Sequence, residues 1–591
     1  MKRSSLNKQH ALLGVAAMCL ALLYGSLLAS AVTKPVIPPL VAQKSIEYWL
    51  YEGHREVAGN VHLQYLDELD ALYRKYNYRT IWMDNYELSP AGERLVQALK
   101  ETASDEWKAY RFRISKLQTE ISRLSNQPKD AAAIDVLLSD AYIDFAQQVL
   151  NNELLPNTGE LDHPSLQKVA AAPAVRVTPV EVISLLSQSL EQGKLLSLIN
   201  DMVPEQADYR RLGTELSRYQ AIADTGWWFP IEGERELSLG DTDQQVPRLR
   251  WMLKVYGDMK ENKLAWLLPK EQDTDPAVLE QDFRKRSSDP VYIFDASLKS
   301  GVESFQARNG LPVTGRLDHT TRERINVAPY FMAQRIALNM KRWRYLPKNL
   351  GQDYVLVNMA NFRLSLVQNG QESLNMKVII GRPERRTPVL AETISTIVLA
   401  PDWSVPERIA QRDIIPIAKR NPRYLAENGF KIYDGWQEPG IEVPLDSNIN
   451  WSRFFRGPSL YRLVQVPGKH NSLGQVKFVF PNDKSIYLHD TSHPELFSKD
   501  MRALSSGCVR VEHPMELASA LLKAQGWSQS QVQEGMNSKN PRYVSLKNPV
   551  PVYLMYWTTW VDEEGVLHVR DDVYQRDQIN GASKKLDSIV L

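Results

Sequence analysis

The hydrophobic period of this chain changes along its length. From Ser45 to about Ala223 apolar residues recur at helical spacing: Leu66, Leu69, Tyr73 and Tyr76 fall at i, i+3, i+7 and i+10 and draw one stripe along a helix. Gly and Pro are sparse inside these segments, whereas Pro156, Pro164, Pro173 and Pro179 punctuate a stretch that reads as a connection. The stripe predicts a helix packed on a core, and nothing in this region points to chemistry. From Tyr354 the period becomes two. Tyr354–Asn358 and Phe362–Val367 predict strands, and Asn369-Gly370 is a two-residue hairpin signal leading into a third strand over Met376–Ile380. Residues 404 to about 470 break this alternation with Pro406, a helix-like run from Glu407 to Ile414, and aromatics at Tyr424, Tyr433, Trp436, Trp451 and Phe455. A segment that long inside a compact domain predicts a lid or binding loop, with each aromatic expected to pack the segment's own core. Further on, Met515–Leu522 predicts an amphipathic helix lying on the sheet. Tyr553–Tyr556 and Val566–Val569 predict a hairpin around Glu564-Gly565, and the polar tail from Gln575 is expected to fray.

The N-terminus carries a different pattern. Lys2, Arg3 and Lys8 precede a run from Ala11 to Thr33 without a charged residue. Ala11–Tyr24 followed by Gly25–Ala31 fits a cleaved export signal. An apolar run of about 22 residues also suffices to span roughly 30 Å of hydrocarbon. Signal peptide and membrane anchor both stand, and in either case the chain beyond Lys34 is expected to be exported. Three prolines between Pro35 and Leu40 read as a spacer. The length of 591 residues is enough for roughly three or four domains. With 71 basic against 70 acidic residues the net charge is +1, so no global field draws the chain to nucleic acid or an anionic membrane surface.

Export changes what the cysteines mean. There are 2, and Cys19 lies in the apolar N-terminal run, which leaves Cys508 as the one thiol expected in the folded body. In an oxidising compartment such a thiol is either incidental or reactive, and its context favours the second. Tyr487-Leu488-His489-Asp490-Thr491 precedes Ser505-Ser506-Gly507-Cys508-Val509-Arg510. A small residue and a glycine ahead of the cysteine let the backbone turn sharply, expose the sulfur and aim the Gly507 and Cys508 N–H groups at a developing oxyanion. His489, at a strand end, is placed to take the thiol proton and hold a thiolate at neutral pH. Tyr487 shares its strand face, and Arg510 is suited to stabilise the thiolate or bind a carboxylate. Asp490 reads as a turn or capping residue, not as a triad acid, which leaves open the group that orients His489. His493 and His513 lie nearby, but one available cysteine with no H-E-x-x-H or C-x-x-C makes no metal set. No cofactor is called for.

These residues, with Val378–Arg382, Arg386-Thr387-Pro388 and Pro401–Pro406 upstream in the same order, closely resemble the active site of the L,D-transpeptidases with a YkuD-type catalytic domain. The large YcbB-type members are the nearest fit, from about residue 45 to the C-terminus and most strongly from Gly301 onward. The resemblance implies a multidomain α+β protein with a helical scaffold, a small three-helix peptidoglycan-binding module and a β-rich catalytic domain with an inserted cap. Leu237–Asp241 with Val246, Leu249 and Leu253 match the module's first helix; Leu298, Val302 and Phe305 match its second, and Thr320–Asn326 its closing helix. The expected division is 1–33 signal or anchor, 34–44 linker, 45–226 scaffold and 227–330 module with a charged insertion between Lys260 and Pro290. The catalytic domain follows as 331–403 and 471–575, with the cap at 404–470 and a polar tail at 576–591.

The implied activity is formation of 3→3 cross-links between diaminopimelate residues of peptidoglycan in the bacterial periplasm, through a cysteinyl thioester with release of D-Ala. Cys508 is then the nucleophile and His489 its base, with Gly507 and Arg510 in the catalytic set and Tyr487, Ser506 and Trp403 binding substrate. Tetrapeptide stems serve as donor and acceptor, glycosyltransferases and D,D-carboxypeptidases are implied partners, and carbapenems implied covalent inhibitors. The alternatives are hydrolysis of the thioester, as in an L,D-carboxypeptidase or endopeptidase, attachment of a lipoprotein lysine, or a non-enzymatic murein-binding scaffold.

Overall fold

The computed structural model describes residues 39–102, 117–150, 177–259 and 290–577, less 52–55, 58–60, 85, 118, 123–126, 205, 227, 345, 348, 422, 438–439, 447 and 456–458. The signal or anchor with Cys19, most of the proline spacer, the connection at Pro156, Pro164 and Pro173, nearly all of the charged insertion and the last 14 residues lie outside them. Among the described residues no helix is long and apolar enough to cross a membrane.

Two compact units divide the chain, the first taking residues up to 96 with 112–144 and 179–196. Its part of the chain carries α1 (Pro39–Tyr51), α2 (Leu66–Lys75), the first part of α3 (Pro90–Thr102), most of α4 (Pro128–Leu150) and α5 (Pro179–Glu191). The predicted stripe is the buried side of α2: Leu69, Leu72 and Tyr73 are buried, and Tyr76, just past the helix end, donates its hydroxyl to the Ser187 carbonyl at 2.9 Å. Asp67 and Glu68 in the first turn and Arg74 and Lys75 in the last complement the helix dipole. Asp135, fully buried on α4, accepts the amides of Ile81 at 3.0 Å, Trp82 at 2.7 Å and Met83 at 3.0 Å and the Tyr73 hydroxyl at 2.5 Å. It thereby satisfies a turn whose backbone donors would otherwise be buried unpaired.

The second unit takes the remaining residues. Its helices include α6 (Ala207–Asp224), α7 (Val246–Val255), α8 (Ala296–Arg308), α9 (His319–Ile325) and α10 (Pro329–Trp343). Asp295 caps α8 and Asp318 caps α9, each accepting a backbone N–H three residues on. Gln306 of α8 fixes the turn between them: its amide donates to the Arg316 carbonyl and the Thr321 hydroxyl, and its oxygen accepts the Thr314 and Gly315 amides.

The strands follow. From Tyr354 onward the first four are β1 (Tyr354–Asn358), β2 (Arg363–Gln368), β3 (Gln371–Gly381) and β4 (Leu390–Leu399). The insertion holds β5 (Trp403–Ser404), β6 (Phe430–Asp434), β7 (Ile441–Val443) and β8 (Tyr461–Gln465). Then come β9 (Val476–Val479), β10 (Leu488–His489), β11 (Ala503–Ser505), β12 (Val509–Val511) and, after α11 (Pro514–Lys523) and α12 (Gln529–Met536), β13 (Arg542–Met555). They order as β11-β3-β12-β10-β9-β4-β13-β1-β2, and β2 pairs back onto β3, closing a barrel-like ring. Asn369 and Gly370, with φ of 52° and 74°, form the predicted turn between β2 and β3. The insertion makes its own four-stranded sheet, β7-β6-β8-β5, over an apolar core that includes Ile432, Leu463, Ile415 and Phe454. Tyr424 and Trp451 pack against that core, while Trp436 and Phe455 are exposed.

Two C-terminal expectations need correction. Leu567–Val569 pairs with Thr559–Val561, because Tyr553–Met555 is already committed to β1 and β4 as the end of β13. The tail does not fray at Gln575, since Asp577 is buried between Arg335 and Arg342 of α10, at 2.7 Å from each. Burial pushes the Asp577 carboxyl up, and the two guanidinium groups more than offset it, leaving it below the ordinary carboxylate range. A polar composition says nothing of such partners, which stand more than 200 residues away in the chain.

Candidate active site

β12 runs parallel to β10, with Leu488 beside Val509 and His489 beside Arg510. β9 pairs on the far side of β10, and one lateral row runs Ile379, Arg510, His489, Lys477, Val398, Tyr543 across five strand pairings. Residues in such a row share a sheet face, and alternation returns to that face every second residue. Leu488 and Val509, both fully buried, therefore point into the core. Tyr487, His489, Cys508, Arg510 and Lys477 stand together on the opposite face. Cys508 begins beside Tyr487, whose carbonyl accepts the Val509 amide at 3.1 Å.

The turn that presents Cys508 is built around Gly507, whose φ of 129° lies where residues with a Cβ are strained. Ser505 ties both sides of it: its hydroxyl donates to the Cys508 carbonyl at 2.5 Å and accepts the Gly507 amide at 3.1 Å. The Gly507 N–H, expected as an oxyanion donor, is thus turned to Ser505. Thr387 Oγ1 donates to the Gly507 carbonyl at 2.7 Å and accepts the Gly381 amide at 2.9 Å. Tyr574 joins the same brace, donating to the Gly381 carbonyl at 2.6 Å and accepting the Thr387 amide at 3.1 Å. Gly381 is required by close approach, because a Cβ there would lie 2.1 Å from the Arg385 carbonyl oxygen.

His489 Nδ1 stands 2.5 Å from the Asp490 carbonyl oxygen. A carbonyl only accepts, so Nδ1 carries the proton and Nε2 is left with its lone pair. The group that orients His489 is therefore a backbone carbonyl. The Asp490 carboxylate is occupied elsewhere, accepting the Gln475 amide at 2.8 Å and the Thr491 amide at 2.7 Å, in keeping with the capping role read from the sequence. Burial drives the imidazole down to about 3, helped by Arg510 and Lys477. Burial likewise pushes the Cys508 thiol up to about 11, against the opposing pull of the Tyr487 amide, Lys477 and Arg510. Burial therefore favours the uncharged form of each group and opposes the thiolate expected from the sequence, while the nearby cations favour it.

Sequence reasoning missed Lys477. Its Nζ lies 3.9 Å from the centroid of the Tyr487 ring, and it neighbours His489 across β9 and β10. Burial lowers its own pKa, while Cys508 favours its charged form. Only knowledge of which strand pairs with β10 would have revealed it. Arg510 sits on the other side of His489 with its Nε buried and without a hydrogen-bond partner among the described residues.

The remaining candidates are placed differently. Ser506 Oγ accepts from Arg385 Nη1 at 2.9 Å, so it is joined to the connection after β3. Trp403 forms β5, pairs with Gln465 and packs against the insertion's core, which makes it part of the insertion's sheet. His493 bonds to Glu495 and His513 approaches Glu512 and Glu516. Among the described residues no group of three His, Cys, Asp or Glu side chains is arranged to hold a metal.

Residues 352–550 match the family described as "L,D-transpeptidase catalytic domain", a stretch that contains the whole row and the Gly507 turn. They are an L,D-transpeptidase catalytic domain of the YkuD family. Residues 67–216 match a "Scaffold domain" and residues 281–325 a "Putative peptidoglycan binding domain". The chain is also similar to a protein of Haemophilus influenzae named "Putative L,D-transpeptidase", with 32% identity over 299 residues. That alignment covers 49% of this chain and 59% of the relative's length. The chain is thus multidomain, with a helical scaffold domain, a peptidoglycan-binding domain and a β-rich YkuD catalytic domain.

Proposed function

We propose that the protein is a periplasmic L,D-transpeptidase that forms 3→3 cross-links between peptidoglycan stems by way of a Cys508 thioester. The observation that carries this reading is the shared face of β10 and β12, on which a histidine whose Nδ1 donates to a backbone carbonyl stands with the only thiol among the described residues, a thiol that itself donates to the Ser485 carbonyl at 3.6 Å.

Because burial favours the neutral forms of Cys508 and His489, proton transfer accompanies attack. His489 Nε2 takes the Cys508 proton while the sulfur bonds to the carbonyl carbon between diaminopimelate and the terminal D-Ala of a tetrapeptide. With the Gly507 amide held by Ser505, the Cys508 amide is the nearest backbone donor for the oxyanion, and Lys477 and Arg510 add positive charge. Collapse breaks the C–N bond; imidazolium gives its proton to the departing amine, D-Ala leaves and a thioester remains. The side-chain amine of a second stem's diaminopimelate then attacks. His489 removes the amine's proton, the C–S bond breaks, and the returning proton restores the thiol. The unpartnered Nε of Arg510 suits a stem carboxylate. An insertion with its own core favours an amine acceptor over water by shielding the thioester.

Incubating the full-length protein with tetrapeptide and trapping with acid tests the chemistry. An adduct of tripeptide mass on Cys508, absent from Cys508→Ala, is expected, and a carbapenem should label the same residue. Adduct formation at another residue, or none with either reagent, would reject the reading. D,D-carboxypeptidases that trim pentapeptides to tetrapeptides, and glycosyltransferases that supply strands, are the proposed partners.

A further inference from the structure

The loop that presents Cys508 is held along its length by one neighbouring segment. The Ser505 carbonyl accepts the Arg382 amide at 3.0 Å, Ser506 Oγ accepts from Arg385, and the Gly507 carbonyl accepts from Thr387. Of these three ties, the one through Arg385 also reaches the insertion. The Arg385 guanidinium meets the Asp413 carboxylate with two nitrogens, Nη2 to Oδ1 at 2.8 Å and Nη1 to Oδ2, while Nη1 also serves Ser506. The Arg385 side chain is partly buried, and the hydrogen bonds between the two hold the guanidinium above and the Asp413 carboxyl below their ordinary ranges. Asp413 sits in a π-helical turn, Ala410–Ile414, between Glu407–Ile409 and Ile415–Arg420. A π turn is uncommon and re-aims the side chains it carries, often at functional sites.

We infer that Arg385 is a positioning residue that couples the seating of the insertion to the geometry of the Cys508 turn. With Asp413 in place, the guanidinium fork is fixed and holds Ser506, two residues before the nucleophile. Without the Asp413 carboxylate, Arg385 loses two charge-assisted bonds and Ser506 loses a fixed donor, so the turn relaxes. This inference rests on the reading of Cys508 as the nucleophile.

The test uses full-length protein and three readouts: the rate of Cys508 alkylation by iodoacetamide, kcat and KM with tetrapeptide, and Tm. In Asp413→Asn and Arg385→Lys, kcat falls about tenfold with KM changed less than about threefold, since small misplacements near the chemistry cost rate before binding. In both, the relaxed turn exposes the sulfur and alkylation quickens about threefold. Ser506→Ala reproduces the loss of kcat without lowering Tm. The reversed pair, Arg385→Asp with Asp413→Arg, regains Tm but not kcat, because an aspartate cannot donate to Ser506. Recovery of kcat in the reversed pair would overturn the inference, as would wild-type alkylation and kcat in Asp413→Asn. If the unaltered protein turns over no tetrapeptide, the proposed reaction fails by itself, and the alkylation comparison still decides the coupling.

Discussion

Burial favours the uncharged forms of Cys508 and His489, and this bears on how the thiol responds to pH. With the thiol pushed up to about 11, the thiolate fraction keeps growing through the alkaline range. Alkylation of Cys508 by iodoacetamide should therefore climb up to about pH 10 or beyond, about tenfold per pH unit, where an ordinary thiol levels off near 8.5. A plateau below pH 7 would mean a standing thiolate–imidazolium pair. Lys477 contributes to the same balance by favouring the thiolate. Lys477→Met should slow alkylation at pH 8 about threefold to tenfold and shift its profile to higher pH, and Lys477→Arg should largely restore both. An unchanged profile in Lys477→Met would remove Lys477 from the site. At this scale the sequence showed the chemistry better than its setting. Cys508, His489 and Arg510 were readable because they lie in two short local motifs. Lys477 was not, because its place depends on pairing between β9 and β10. The commitments of Gly507 and Ser506 were hidden for a similar reason, since their partners, Ser505 Oγ and Arg385, are fixed only once the turn is folded.

Elements defined by nearest neighbours were the legible ones. The Asn369-Gly370 turn, α2 with its buried stripe and the helix at Pro514–Lys523 all follow from local residue order. β10, two residues long, and the pairing of Leu567–Val569 with Thr559–Val561 follow from sheet closure, which no local pattern encodes. The turn satisfied by Asp135 is a similar case on the helical side, for it joins α4 to residues more than 50 positions away. Asp135→Ala would strand several buried backbone donors and cost about 3 kcal/mol or more, read as a fall in Tm, and Asp135→Asn should cost less. Burial raises the Asp135 carboxyl to about 6, above the ordinary carboxylate value of about 3.9, despite the donors that hold it down. The folded state therefore binds the proton more readily, so the contribution of this group to stability grows as pH falls from about 6 toward 4. Chemical denaturation at pH 7 and pH 5 checks the sign. Asp135→Asn should lessen the gain, and an equal gain in the variant would assign it to other groups.

Across the second unit, the C-terminal segment links parts that are far apart in the chain. Asp577 clamps α10, Arg324 of α9 pairs with Asp571, and Tyr574 reaches the brace beneath Gly507. Removing the Asp577 carboxylate would take away the charge that stands 2.7 Å from each of the buried Arg335 and Arg342 side chains. Asp577→Ala should destabilise the second unit by about 3–5 kcal/mol, measurable by calorimetry, whereas Asp577→Asn, which keeps hydrogen-bonding capacity, should cost less. A change within 0.5 kcal/mol, about what an ordinary surface substitution produces, would show that the clamp is not structural. The central claim concerns the whole molecule, namely that it joins two stems through Cys508. The most direct measurement is mass spectrometry of muropeptides after incubation of the full-length protein with disaccharide-tetrapeptide, beside Cys508→Ala. The account predicts a 3→3 dimer with free D-Ala from the unaltered protein and neither from the variant. Tripeptide without dimer would make the enzyme a hydrolase, and dimer formation by Cys508→Ala would contradict the account outright.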